Sequence, residues 1–263
     1  MLFTNIIEVI QNTIEGSDYS LRVHYLDEDA DEVKEAVRMC REHKPMGILF
    51  LGGNIQYFHE EFELVNVPCV LVTDRADKLG FRNLASVSTD DMAAAEMAVD
   101  YLFDHGHRDI AVIGGDMALS SPSKYRKAGA KRSFIKHGCE FEEESYAVAR
   151  FSYESAYNAM NRMLASKRSI TAVFAMSDVM AVGAMRAIFD AGLRVPEDIS
   201  VIGFDGTLLA DYYNPKIVTV CQGYEKIARK SIDLLFGMID LNKPATHELV
   251  PFSLKNTESV SSI

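Results

Sequence analysis

Positive charge is scarce in this chain of 263 residues: 27 Lys and Arg stand against 38 Asp and Glu, a formal net charge of −11. Neutralising a phosphate backbone takes clustered Lys and Arg, so the chain by itself is not expected to bind nucleic acid. Cysteine is sparse too. Cys40, Cys69, Cys139 and Cys221 are far apart, form no CxxC pair and join no His/Cys cluster. That pattern speaks against a disulfide framework or a zinc site and suits free thiols in a reducing cytoplasm. No apolar run approaches the ~20 residues that cross a bilayer, and MLFTNIIEVI at the N-terminus lacks the basic and long apolar regions of an export signal. Catalytic signatures are missing as well: there is no GxSxG, no HExxH and no carboxylate pair with a matching base. GGNIQ (52–56) and IGGD (113–116) are glycine-rich turns that fit neither the GxGxxG nor the P-loop pattern. His105 and His107 flank Gly106 at a predicted helix end, where a metal would lack further ligands. The expectation is a protein that is not an enzyme and needs no metal or cofactor.

What the chain does contain, at 48% hydrophobic residues, is an alternation. Short apolar runs, each read as a strand, are LRVHYL (21–26), GILFL (47–51), CVLVT (69–73), IAVIG (110–114), YAVARF (146–151), TAVFA (171–175) and ISVIGF (199–204). Between them lie segments of helical periodicity, among them 31–43, 90–106, 123–138, 154–166 and 177–192. Gly106, Gly138 and Gly192 suit helix C-termini, and Ser177 with Asp178 suits an N-cap. Strands that are apolar throughout and alternate with helices predict parallel sheets covered on both faces, here two doubly wound α/β lobes of similar length.

In open parallel sheets ligands bind beyond the carboxyl ends of the strands. Three loops there draw attention: 114–124, 175–178 and 205–207. Arg126 follows the first, where a guanidinium fork can grip hydroxyls or a carboxylate, although Lys124, Lys127, Lys131 and Arg132 on the same helix favour a solvated face. Asp205 can accept from vicinal hydroxyls or equally organise an Asx turn. Phe3 and Phe151 can stack on a flat ligand, yet a lone Phe is usually core. Asp74 and Arg75 read as a surface pair with each other.

Taken together, HGHRDIAVIGGD, RKAG, AMSDVMAVGAMRAIFDAGLRVPEDISVIGFDGT and NPKIVTVCQ, in that order, resemble the effector-binding region of LacI/GalR-family transcriptional regulators. The resemblance covers nearly the whole chain. It implies the fold of type I periplasmic sugar-binding proteins and a sugar-like effector held by Arg126 and Asp205. Phe3 and Phe151 would sandwich it. Ser177, Ser120 (or Ser121), Asp90 beside Thr89 and Asp91, and Gln222 would supply further polar contacts. Ser177 stands where the family usually has Asn, and Cys221 where a basic residue is frequent. The implied lobes are 1–105 with 222–249, and 106–221 with 250–263. The family opens with a helix-turn-helix module, a hinge helix and a first strand, none of which is apparent here. An incomplete first sheet, a less stable first lobe and DNA contact only through a headpiece outside this chain are therefore expected. The resemblance further implies a cytoplasmic homodimer and most often a repressor; the Val179–Ile188 face reads either as part of the dimer contact or as ordinary core packing. The alternative of the same fold is the solute-binding component of a sugar transporter.

Overall fold

The computed structural model describes residues 2–27, 30–166 and 169–263. A helix α1 (Leu2–Ile14) opens the first lobe, followed by α2 (Glu32–His43), β1 (Ile48–Leu51), β2 (Cys69–Val72) and β3 (Leu84–Thr89). The chain then enters the second lobe with α3 (Asp91–Asp104), β4 (Ile110–Gly114), α4 (Ser121–Lys136), β5 (Tyr146–Val148), α5 (Tyr153–Ala165), β6 (Ala172–Ala175), α6 (Asp178–Asp190), β7 (Ser200–Asp205), the short α7 (Leu208–Tyr212) and β8 (Val218–Cys221). It returns to the first lobe through α8 (Tyr224–Leu241) and β9 (His247–Val250), and ends on β10 (Ser253–Lys255) and a tail along the second lobe.

The first sheet has the order β1-β2-β3-β9 and is parallel throughout. The second has the order β10-β8-β7-β6-β4-β5, parallel apart from β10 on β8. Central strands β2, β3, β4, β6 and β7 are buried at every position, as a sheet covered on both faces requires. The two parallel-sheet lobes read from the apolar runs are the observed architecture.

Two features differ from the sequence reading. Leu21–Leu26 forms no strand: its apolar side chains Leu21, Val23, Tyr25 and Leu26 are exposed, and the outer edge of β1 carries no neighbour among the described residues. An apolar run becomes a strand only when a ladder partner takes its N–H and C=O groups. Helix α3 also belongs to the second lobe, since Ala94, Ala95, Ala98, Val99, Leu102 and Phe103 share one core with β4, β6 and β7. The chain therefore leaves the first lobe at Thr89–Asp90, earlier than the boundary at 105. α3 and α4 lie backbone to backbone there: a Cβ at Gly129 would come 2.1 Å from the Met92 carbonyl oxygen. α5 and α6 meet in the same way at Gly183, with the Tyr153 carbonyl 2.3 Å from such a Cβ. That packing consumes the Val179–Ile188 face, where Val179, Met180, Ala181, Ala184, Met185, Ala187 and Ile188 are all buried. The face is core of this chain and not a free dimer contact.

Candidate functional site

Groups at the carboxyl ends of β3 in the first lobe and of β6 and β7 in the second, Asp91, Met176 and Phe204, meet at one buried side chain, Arg126. It points inward because it shares the buried stripe of α4 with Ala130, Ser133 and Phe134. The solvated-face reading of Arg126 is thereby overturned. Its Nε donates to Asp91 Oδ1 at 2.7 Å and its Nη1 to the Met176 carbonyl at 2.5 Å. The guanidinium lies 3.7 Å above the centre of the Phe204 ring, a cation–π contact. Among the described residues Nη2 has no partner. Burial pushes the Asp91 carboxyl upward against the opposing pull of Arg126.

Asp205 ends β7 beside that ring. Its backbone φ is 121°, a region that disfavours side chains and tends to persist where the surroundings impose it. Gln222 Nε2 donates to its Oδ1 at 2.7 Å, so Asp205 does not form the simple Asx turn that local sequence allows. Burial, reinforced by the charge of Asp178, holds the Asp205 carboxyl well above the usual carboxylate range. Asp178, which sequence reasoning took for a helix cap, ties the β7 and β8 ends together. It accepts from the Thr207 N–H and hydroxyl, each at 2.8 Å, and from the Thr219 hydroxyl at 2.6 Å.

The first lobe contributes Asp74, which the sequence reads as a surface partner of Arg75, and Thr89, which it names beside Asp90 and Asp91. Asp74 follows Thr73, whose φ of 71° is unusual for a β-branched residue. Asp74 does not pair with the Arg75 side chain. It accepts the Arg75 backbone N–H at 2.7 Å, while the Arg75 guanidinium goes to Asp77 at 3.1 Å. Asp74 Oδ2 and Thr89 Oγ1 are the buried side-chain N/O atoms without a hydrogen-bond partner among the described residues. Both stand at carboxyl ends of neighbouring strands. An unsatisfied buried oxygen costs ~1–3 kcal/mol, and two of them side by side call for an explanation. Burial, with Asp91 adding to it, raises the Asp74 carboxyl to about 7.

Phe3 and Phe151 are not core residues: they are 41% and 36% exposed. Each covers a glycine at the carboxyl end of a strand, one per lobe. A Cβ at Gly52 would sit 2.8 Å from the Phe3 ring, and one at Gly115 2.9 Å from the Phe151 ring. Ser120, Asp90 and Ser177 serve as N-caps of α4, α3 and α6, accepting from the backbone N–H groups of Ser123, Ala93 and Met180 at 3.1–3.2 Å. Ser120 and Asp90 stay partly exposed, whereas Ser177 is buried. His105 and His107 are occupied structurally, His107 between the Thr171 hydroxyl and the Ser261 carbonyl. No group of three or more potential metal ligands occurs among the described residues, and no described helix is long and apolar enough to cross a membrane.

Two α/β lobes joined by three chain crossings, with buried polar side chains at the carboxyl ends of both sheets, define a two-lobe ligand-binding protein. Residues 99–260 match the family model of the periplasmic binding protein-like domain. Over 99% of its length the chain is 32% identical to the HTH-type transcriptional regulator MalR of Clostridium butyricum, spanning 78% of that protein. It is 36% identical over 73% of its length to the probable HTH-type transcriptional repressor ExuR of Bacillus subtilis, spanning 56% of it. The fold superposes on a dimeric Lac repressor carrying a C-terminal deletion and a K84L substitution with a TM-score of 0.87, at 24% identity, covering 100% of this chain and 95% of that one. The chain belongs to the LacI family of transcriptional regulators, of which it is the effector-binding region. These relatives are regulators of transcription, so the transporter alternative is not favoured.

Proposed function

We propose that a sugar-like small molecule binds between the lobes and that its binding controls a cytoplasmic, homodimeric repressor. Arg126 Nη2, Asp205, Gln222 and Ser177 reach the ligand from the second lobe, and Asp74, Thr89 and Asp90 from the first. Ser120 lines the entrance. Phe3 and Phe151 stack on its two faces, one from each lobe, because hexose and pentose rings carry apolar C–H surfaces as well as hydroxyls. The observation that carries this reading is the pair of buried partnerless oxygens, Asp74 Oδ2 and Thr89 Oγ1, at the ends of strands that face the Arg126 cluster. A ligand touching both lobes favours their closed arrangement by its difference in affinity for the closed and open states. In the homodimer that change of lobe angle is passed to helix-turn-helix modules of the kind in the relatives' names, and DNA is contacted there and not by this acidic body. The homodimer is completed by surfaces other than the buried Val179–Ile188 face.

A thermal-shift screen over neutral mono- and disaccharides checks this directly. A ligand present at 100 times its dissociation constant adds ~2.7 kcal/mol of stability. Phe3→Ala and Phe151→Ala are each expected to weaken binding by roughly 10-fold, the loss of a stacking contact of ~0.5–1.5 kcal/mol plus buried area, with little effect on the unliganded protein. Unchanged affinity in both variants contradicts the sandwich.

A further inference from the structure

We infer that Asp178 is a positioning residue for effector binding: without touching the effector it holds Asp205 in place at the end of β7, and the segment 176–178 that carries it sets the spacing between Asp205 and Arg126. This rests on the proposed cleft site and adds what keeps that site in shape.

Asp178 is fully buried, out of reach of anything in the cleft. Helix α6 does not need it as a cap, because the Ser177 hydroxyl already accepts the Met180 N–H at 3.1 Å. Burying a carboxylate is costly unless donors surround it, and its donors belong to the turn that follows Asp205 and to the neighbouring strand β8. The Thr207 N–H and hydroxyl donate to Oδ2 and the Thr219 hydroxyl to Oδ1. The Thr219 oxygen in turn accepts the Gly206 N–H at 3.3 Å. A Cβ at Gly203 would come 2.7 Å from Asp178 Oδ1, so the carboxylate lies directly against β7.

That network bears on Asp205 through the backbone. Asp205 has φ 121° and Gly206 φ 71°, consecutive positive values, and a side chain is kept at the first only where its surroundings over-determine the conformation. The Asp205 carbonyl accepts the Gln222 N–H at 3.2 Å. The anchors after it run through Asp178, directly at Thr207 and by way of Thr219 at Gly206. Without them Asp205 relaxes toward an ordinary φ, and its carboxylate leaves the position in which Gln222 Nε2 holds it. The same short segment orients the other gripping group, since the Met176 carbonyl accepts from Arg126 Nη1. The β6–α6 junction thus holds the guanidinium with a backbone oxygen and the Asp205 turn with a side chain, the kind of support that keeps a binding site at its working geometry.

Thr219→Val removes one hydroxyl at nearly constant shape, Thr219→Ser keeps it, and both avoid the folding risk of Asp178→Ala. In the protein without sugar, amide hydrogen exchange at Gly206 and Thr207 is expected to be at least about tenfold faster in Thr219→Val. Amides of β4 and β6 should be unchanged, and Thr219→Ser should stay close to the wild type. Unchanged rates at Gly206 and Thr207, or a rise spread over the whole lobe, overturn the inference. Isothermal titration with ribose, glucose, maltose and cellobiose gives the second readout. The tightest binder of the four should bind Thr219→Val roughly tenfold more weakly than the wild type. In an Asp205→Ala background the same substitution should change affinity by less than about twofold, because Asp178 acts through Asp205. Losses that simply add in the double variant overturn the inference, since they mean a general loosening of the lobe. If none of the four sugars binds, or Asp205→Ala binds like the wild type, the cleft reading itself falls. The exchange rates, measured without sugar, still decide whether Asp178 holds the turn.

Discussion

Replacing Arg126 by alanine is expected to abolish effector binding and to destabilise the unliganded protein by about 3–5 kcal/mol. The stability loss follows from what the side chain leaves behind. Asp91 remains buried with its ion-pair partner gone, the Met176 carbonyl loses its donor, and the Phe204 face loses the guanidinium stacked on it. A double variant separates the two effects. In Arg126→Ala/Asp91→Asn the stranded charge is removed, so a large part of the stability returns while binding does not. Arg126→Lys keeps the charge but not the fork, and cannot serve Asp91 and Met176 together, so intermediate stability with lost binding is expected. Urea unfolding followed by far-UV circular dichroism gives the first quantity and calorimetric titration the second. Full recovery of binding in the double variant would show that Arg126 merely neutralises Asp91.

Asp74→Asn should do the reverse, raising stability while weakening the response to effector. The Asp74 carboxyl titrates at about 7 in the folded chain, raised by burial and by Asp91, against an ordinary value near 4. Between those values the folded state holds a proton that the unfolded state has released. Stability is therefore lost as pH rises from ~4 to ~7, and the loss is complete above that window. Asparagine has no such proton to lose. The variant should match the wild type near pH 4 and exceed it by about 2–4 kcal/mol at pH 8, taking 1.36 kcal/mol per pH unit as the ceiling. Unfolding free energies for both proteins at pH 4.5, 6 and 8 give the comparison, in which titrations elsewhere in the chain cancel. A difference that does not grow with pH would mean that the Asp74 carboxyl is not buried in the folded protein. A residue whose charge costs stability in the free protein is characteristic of sites kept for binding.

The fold was largely legible because uniformly apolar strands and helix-ending glycines are local signals. Gly106, Gly138 and Gly192 have φ of 96°, 70° and 78°, as their positions after helices suggest. Leu21–Leu26 misled because a strand is a property of two chains side by side, and its composition carries no information about a neighbour. The site was legible in part. Gln222 was read only through family resemblance, and Asp205 stayed evenly balanced between a ligand contact and an Asx turn without it, since nothing local says that a carboxylate after a strand turns toward Gln222 and not into its own loop. Arg126 lies within a basic stretch that looks solvated, yet its spacing to Ala130, Ser133 and Phe134 places it on the buried stripe, a signal that was available. Asp74 was obscured by the adjacent Arg75, an obvious partner in sequence that in space belongs to Asp77. The two partnerless oxygens are legible only in three dimensions, because satisfaction depends on everything packed around the atom.

That one ligand is held simultaneously by both lobes is tested most directly by titrating the sugar found in the screen into the wild type, Asp74→Ala and Asp205→Ala. Each substitution, on opposite sides of the cleft, is predicted to raise the dissociation constant at least tenfold, about 1.4 kcal/mol or more. Wild-type affinity in both variants would place the ligand outside the cleft.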